Sequence, residues 1–151
     1  MNKTEILNLL TETQEATKRY FDLPNQTMDK NYGDGKWNIR QILHHITDAE
    51  YVLHVRLKRI IAEPRQVIWA FNQDDWNNAF NYVSEPLHDK KECFFMCRLM
   101  NIKLVKDYFD SHSQKEFIHS ETGLRTLGME MEKLATHNLK HNNQIELALK
   151  K

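Results

Sequence analysis

The chain has 151 residues, 40% hydrophobic and 28% charged, a make-up that fits one folded domain and argues against a disordered or membrane class. Lysine and arginine total 21, as do aspartate and glutamate, so the basic excess that neutralises nucleic-acid phosphates is missing. No window approaches the roughly 20 apolar residues of a spanning helix, and Met1 to Ile6 lack the order of a leader peptide, so the expectation is a cytoplasmic protein with neither a nucleic-acid nor a membrane partner.

The first helical segment runs from about Lys3 to Phe21, with Ile6, Leu9, Leu10, Thr13, Ala16, Thr17 and Tyr20 at helical spacing, and stops before Pro24. The second opens after the Gly33-Asp34-Gly35 turn, with Asn38 as N-cap and Gln41 three residues on, and reaches about Ala62 before Pro64. Glu63 to Val83 is a connection of about twenty residues, long for a bundle. It is rich in aromatics (Trp69, Phe71, Trp76, Phe80, Tyr82), as in a packed lid with a short helix over Gln73 to Phe80.

A third long segment is expected from Ser84, with Glu85 and Pro86 in its first turn, to about Ser111, and a fourth from near Thr126 to the C-terminus. Strand signals are nearly absent, Val67 to Phe71 being the only short apolar run outside these segments. The four amphipathic stripes predict a single all-α domain over residues 1–151, an antiparallel four-helix bundle. Cys93 and Cys97 sit one helical turn apart, where a disulfide is geometrically awkward, and are expected to pack as small hydrophobes.

His137 and His141 are four residues apart, so on a helix they share a face and can chelate one divalent ion. The apolar stripe there is Leu127, Met131, Leu134, then His137 or Asn138, then His141, Ile145 and Ala148, which puts both histidines at or beside inward positions. An imidazole in a core needs a partner, and a metal supplies one. The second segment offers the third ligand. Against its stripe of Ile42, Ile46, Ala49, Leu53, Leu57 and Ile60, His45 projects about 60° from the centre and His44 about 160°. His45 can therefore face the core edge, and His44 should face solvent or a neighbouring helix.

The stretch from Lys36 to Glu50, which contains Trp37, Asn38, His44, His45 and Asp48, resembles the signature of the DinB superfamily, in particular its YfiT-like branch of metal-dependent hydrolases and thiol transferases. His137 to Glu146 resembles the closing His-xxx-His helix of that family, and Arg56-Leu57-Lys58 and Phe71 to Trp76 match it too. The resemblance spans nearly the whole chain. It implies a four-helix bundle and a divalent metal ion, zinc or nickel, on His45, His137 and His141, in agreement with the helical projection.

Three neutral histidines leave such an ion an open position for water or a thiolate, the arrangement of a catalytic site. Asn138, where zinc peptidases of the His-Glu-xx-His type carry glutamate, argues against a peptidase. Arg56 projects within about 20° of His45 but about 16 Å along the axis, suited either to the anionic end of a substrate or to a buried ion pair. Asp48 and Glu50 are candidates for orienting a ligand or acting as base. Trp37 stands at the position of a hydrophobic staple, and Asp74, Asp75 and Trp76 start the short lid helix, where capping is favoured over a catalytic role.

The function expected is a metal-dependent enzyme, a hydrolase or a transferase joining a low-molecular-weight thiol such as bacillithiol to small electrophiles. The alternative is a non-catalytic, stress-associated metal or small-ligand binding protein. Related bundles often pair through helices, so a homodimer is a candidate assembly whose surface the sequence does not identify.

Overall fold

The structure is a computed structural model and describes residues 1–63 and 66–151. Three of its four long helices begin where side chains take up free backbone N–H groups. Helix α1 (Lys3–Phe21) opens with a reciprocal capping box between Asn2 and Glu5. After the single turn α2 (Asn25–Met28), α3 (Ile39–Ala62) opens with the same device, Asn38 and Gln41. The expected stop at Pro64 lies outside the described residues.

The crossover that follows contains β1 (Val67–Ile68) and α4 (Gln73–Ala79), the latter capped by Asn72. Helix α5 (Lys90–His112) leads into β2 (Glu116–His119) and β3 (Gly123–Thr126), and Thr126 caps α6 (Leu127–Leu149).

Helices α1, α3, α5 and α6 form the four-helix bundle, but its directions are not the simplest alternation. Met1 meets Glu132 and Thr17 meets Asn142, so α1 and α6 run parallel. Asp48 meets Lys90 and His54 meets Asn101, so α3 and α5 also run parallel. The antiparallel pairs are α1 with α5, through Lys3–Asp110 and Asp22–Lys91, and α3 with α6. A parallel neighbour can be reached only by returning along the length of the bundle, roughly 36 Å for a helix the length of α3. That return is the physical reason for the long connection, and it lays Trp69, Phe71 and α4 along α3 beside its histidines.

The interior has two apolar layers. One gathers Ile6, Leu10, Leu57, Ile60, Val105 and Leu127, and the other Ile39, Ile42, Leu43, Ile46, Phe94 and Ile145. Between them lies a polar waist containing Thr13, Thr17, His45, Glu50, Arg98, Asn101, Asn138, His141 and Asn142, all buried. Polar side chains in a core are tolerated only when their hydrogen-bonding capacity is met, so the waist is where chemistry concentrates.

Three expectations need correction. The third long helix starts at Lys90, not Ser84. Asn81 and His88 have φ of 51° and 25°, and the Glu85 carbonyl accepts a hydrogen bond from His44 Nε2, so this segment is committed to turns. Strand structure is also present: β2 pairs antiparallel with β3 and parallel with β1, so the polar run from Lys115 to Thr126 forms a hairpin, not a helix connection. Gly123, at φ +71°, makes the turn. Finally, Cys97 is buried as expected but Cys93 is exposed.

Candidate metal centre

His45 comes from the second turn of α3, and His137 and His141 from successive turns of α6. Nε2 of His45 lies 3.1 Å from Nε2 of His137, which lies 3.2 Å from Nε2 of His141. An ion bonded to imidazole nitrogens at about 2.0–2.1 Å in a tetrahedron spaces them about 3.3 Å apart, so these donors stand where one ion would need them. His141 Nδ1 donates to Gln144 Oε1 at 2.7 Å, and Gln144 donates from Nε2 to the Tyr32 hydroxyl. With its hydrogen on Nδ1, His141 turns a bare lone pair on Nε2 toward the other rings.

A single hydrogen on His137 Nε2 can serve one neighbour, which leaves the cluster short of donors. A divalent cation meets that deficit, so the residues fit a metal ion. Trp37 packs edge-on against the His45 ring at 5.2 Å and Phe71 stacks on it at 6.0 Å, which fixes its direction.

All three imidazoles are held neutral. Burial, with His141 and Lys140 adding, pushes His45 down to about 3, and burial pushes His141 down to about 4 despite the opposing hydrogen bond that it donates to Gln144. His137 is lowered well below its ordinary value, chiefly by burial and then by its two partners. Neutral imidazoles keep their lone pairs available at physiological pH.

Two cavities meet at His137. The outer one, about 350 Å³, is bounded by Trp37, Gln73, Asp74, Lys140, His141 and Gln144. The inner one, about 160 Å³, runs along α3 past Leu53 to Arg56.

Residues 9–145 match the DinB superfamily. The chain belongs to that superfamily. Two proteins of Oceanobacillus iheyensis, each named "Putative metal-dependent hydrolase", are similar to it: one is 28% identical over 80% of this chain and 69% of its own length, the other 24% identical over 92% and 80%. YfiT from Bacillus subtilis, described as "a probable metal-dependent hydrolase with an unusual four-helix bundle topology", superposes with a TM-score of 0.88 at 20% identity, over 98% of this chain and 86% of that one. The likeness establishes a shared DinB bundle fold.

Within this DinB bundle the residues singled out from sequence part company. His45, His137 and His141 come together. Arg56 lines the inner cavity with His45 and His137 and is also in an ion pair, Nη1 to Glu130 Oε1 at 3.2 Å, with Nη2 donating to the Trp69 carbonyl at 2.7 Å. Asp48 and Glu50 line neither cavity. Asp48 accepts from the Tyr82 hydroxyl and pairs with Lys90, while Glu50 binds Arg98 through both carboxylate oxygens, at 2.8 and 2.7 Å.

His44 is fully buried, not solvent-facing: the crossover covers it, with the Tyr82 ring stacked on it at 4.2 Å. Trp37 packs on an apolar layer, as a staple would, and also borders the site. Cys97, pushed up to about 11 by burial and by Cys93, is no ready thiolate, and neither cysteine lines these cavities.

Sequence reasoning missed Gln144 and Tyr32, which orient His141, and it missed His119, which the hairpin carries to the inner cavity. Gln144 was within reach, because it lies three residues after His141 on the same helix face. His119 was not, because its position follows from a strand pairing with Val67 and Ile68 that the local sequence does not announce.

Proposed function

We propose that this protein is a metal-dependent enzyme that holds zinc or nickel on His45, His137 and His141 and activates water or a thiol for attack on a small electrophile. The observation that carries the reading is the convergence of three neutral imidazole Nε2 atoms at the meeting point of two cavities. Imidazole donors suit zinc and nickel among the common divalent ions. When bound, such an ion supplies Lewis acidity and lowers the pKa of a water or thiol at its free position.

The chain's own residues supply the rest. Gln144 and Tyr32 hold the His141 tautomer, and Trp37 and Phe71 hold the His45 ring and narrow access for bulk water. We assign to Asp74, which borders the outer cavity with His137 and His141, the acceptance of the proton a nucleophile loses; Asp48 and Glu50 line neither cavity and are engaged in ion pairs. The names carried by the Oceanobacillus relatives support water as nucleophile. The YfiT-like resemblance in the sequence supports a low-molecular-weight thiol such as bacillithiol, and the reaction then belongs in the cytoplasm, where thiols stay reduced.

Elemental analysis of protein purified without chelator should find about one zinc or nickel per chain, falling to near zero in His141→Ala. Loaded enzyme should then turn over electrophiles with water or with added thiol. Stoichiometric metal without turnover for any thiol and electrophile pair supports the binding-protein alternative, and no metal after reconstitution refutes the enzyme and leaves only small-ligand binding.

A further inference from the structure

The inner cavity contains polar groups that the metal site does not use. His119 is 4% exposed, lines the cavity, and accepts a hydrogen bond at Nδ1 from the Glu121 backbone N–H at 3.2 Å. Because Nδ1 accepts, the ring hydrogen sits on Nε2, and this buried N–H has no partner among the described residues. A buried donor without an acceptor is costly, so this free N–H points to an acceptor that arrives with a ligand. Lys133, one helical turn before His137, lines the same cavity, and its ammonium group has no hydrogen bond or ion pair among the described residues.

The charges around the cavity are unequal. Arg56, Arg125 and Lys133 gather about two carboxylates, Glu130 and Glu121, and Glu130 is already engaged by Arg56 and lies 3.8 Å from Arg125. One cationic charge is left over beside an uncommitted N–H donor. Of the rest of the wall, Ala49, Leu53, Ala70 and Phe71 are apolar, and Gln73 and Glu121 are polar.

We propose that this cavity is a subsite for a small amphiphilic anion whose carboxylate or phosphate-like head binds Lys133 and His119 and whose short apolar body lies along Leu53 and Phe71 toward His137. Resting on the reading of the three histidines as the reacting centre, it gives the substrate class as an electrophile with an oxyanion at one end. Burial holds both the Lys133 ammonium and the His119 imidazolium below their ordinary values, a strain that a bound anion relieves. Arg56, fixed by Glu130 and Trp69, adds field and leaves the direct contacts to its neighbours.

The test uses chelator-treated protein, so that no anion can bind through a metal, with butyrate, propylphosphonate and neutral butyramide as probes. Titration followed by NMR should show one or both anions saturating and moving the His119 side-chain resonances, with butyramide about ten-fold weaker. Preference between the anions identifies the head group as planar or tetrahedral. Lys133→Met should weaken the anion about ten-fold and Lys133→Arg should restore it, a rescue that a packing role would not give. Equal binding of butyramide, or no response of His119 to either anion, overturns the subsite. Metal content measured in parallel separates the two readings, since loss of metal binding refutes the centre and leaves the anion titration standing.

Discussion

Helix α3 feeds two buried polar clusters from adjacent turns, and they differ in one respect. Around Glu50, Arg98 spends its guanidinium on both carboxylate oxygens, the Leu10 carbonyl and Thr13 Oγ1, and Asn101 bridges Glu50 to His54. Donors and acceptors there satisfy one another, and Glu50 lines neither of the two cavities at the histidines. Around His45 the donors run short, the lone pairs converge, and two cavities open onto them. A closed polar network ties α1, α3 and α5 together, whereas the open one leaves lone pairs and space that a ligand could fill. Saturation, rather than residue type or burial, separates structure from chemistry here.

The comparison breaks most sharply at Glu50. Glu50→Ala leaves the Arg98 guanidinium buried and unpaired, and should cost about 3–5 kcal/mol, lowering the thermal midpoint by about 10 °C or more. Metal content per folded chain should stay at the wild-type value, because Glu50 touches none of the histidines. Calorimetry paired with elemental analysis checks both halves, and loss of metal at intact fold would show that the clusters act as one.

Acid should distinguish the clusters next. In chelator-treated protein, His45 and His141 stay neutral in the folded state down to about 3 and about 4, while the unfolded chain takes up protons at the ordinary 6.5. As pH falls below 6.5 the unfolded state therefore binds protons that the folded state refuses, and stability falls with pH through that window. Between about pH 7 and 5.5 the two histidines together should remove about 2.5 kcal/mol. Urea unfolding across this range should show the slope in wild type and a flatter one in His141→Ala. An identical slope in both would mean that the histidines are not held neutral.

How much of this was legible beforehand follows from the range of each interaction. The Asn2–Glu5 and Asn38–Gln41 boxes and the Thr126 cap are local, so three of the four long helices could be placed from sequence. The start of α5 could not, because Tyr82, His44 and Glu85 settle it across the crossover. The histidines were legible because helical projection needs only a period and a stripe. The fate of Glu50 depended on Arg98, far along the chain, and that of His119 on a parallel strand pair, neither of which any period encodes.

The smallest effect expected is at Gln144, and it asks whether the open cluster is held ready or merely assembled. Gln144 forms no part of the ligand set; it accepts the His141 Nδ1 hydrogen and is itself steadied by Tyr32. Gln144→Leu keeps the side chain's bulk but frees the His141 ring to rotate or to move its hydrogen to Nε2, where it would block the lone pair. Folding should be nearly unchanged, since the Gln144 side chain lies at the edge of the outer cavity. Metal affinity, measured by competition with a chromophoric chelator, should fall about 10–100-fold. Gln144→Glu should keep most of the affinity, because a carboxylate accepts the same hydrogen. If leucine bound metal as tightly as glutamine, packing against Trp37 and Phe71 alone would orient the histidines, and the contrast with the Glu50 network would rest on the missing donors without any preset tautomer.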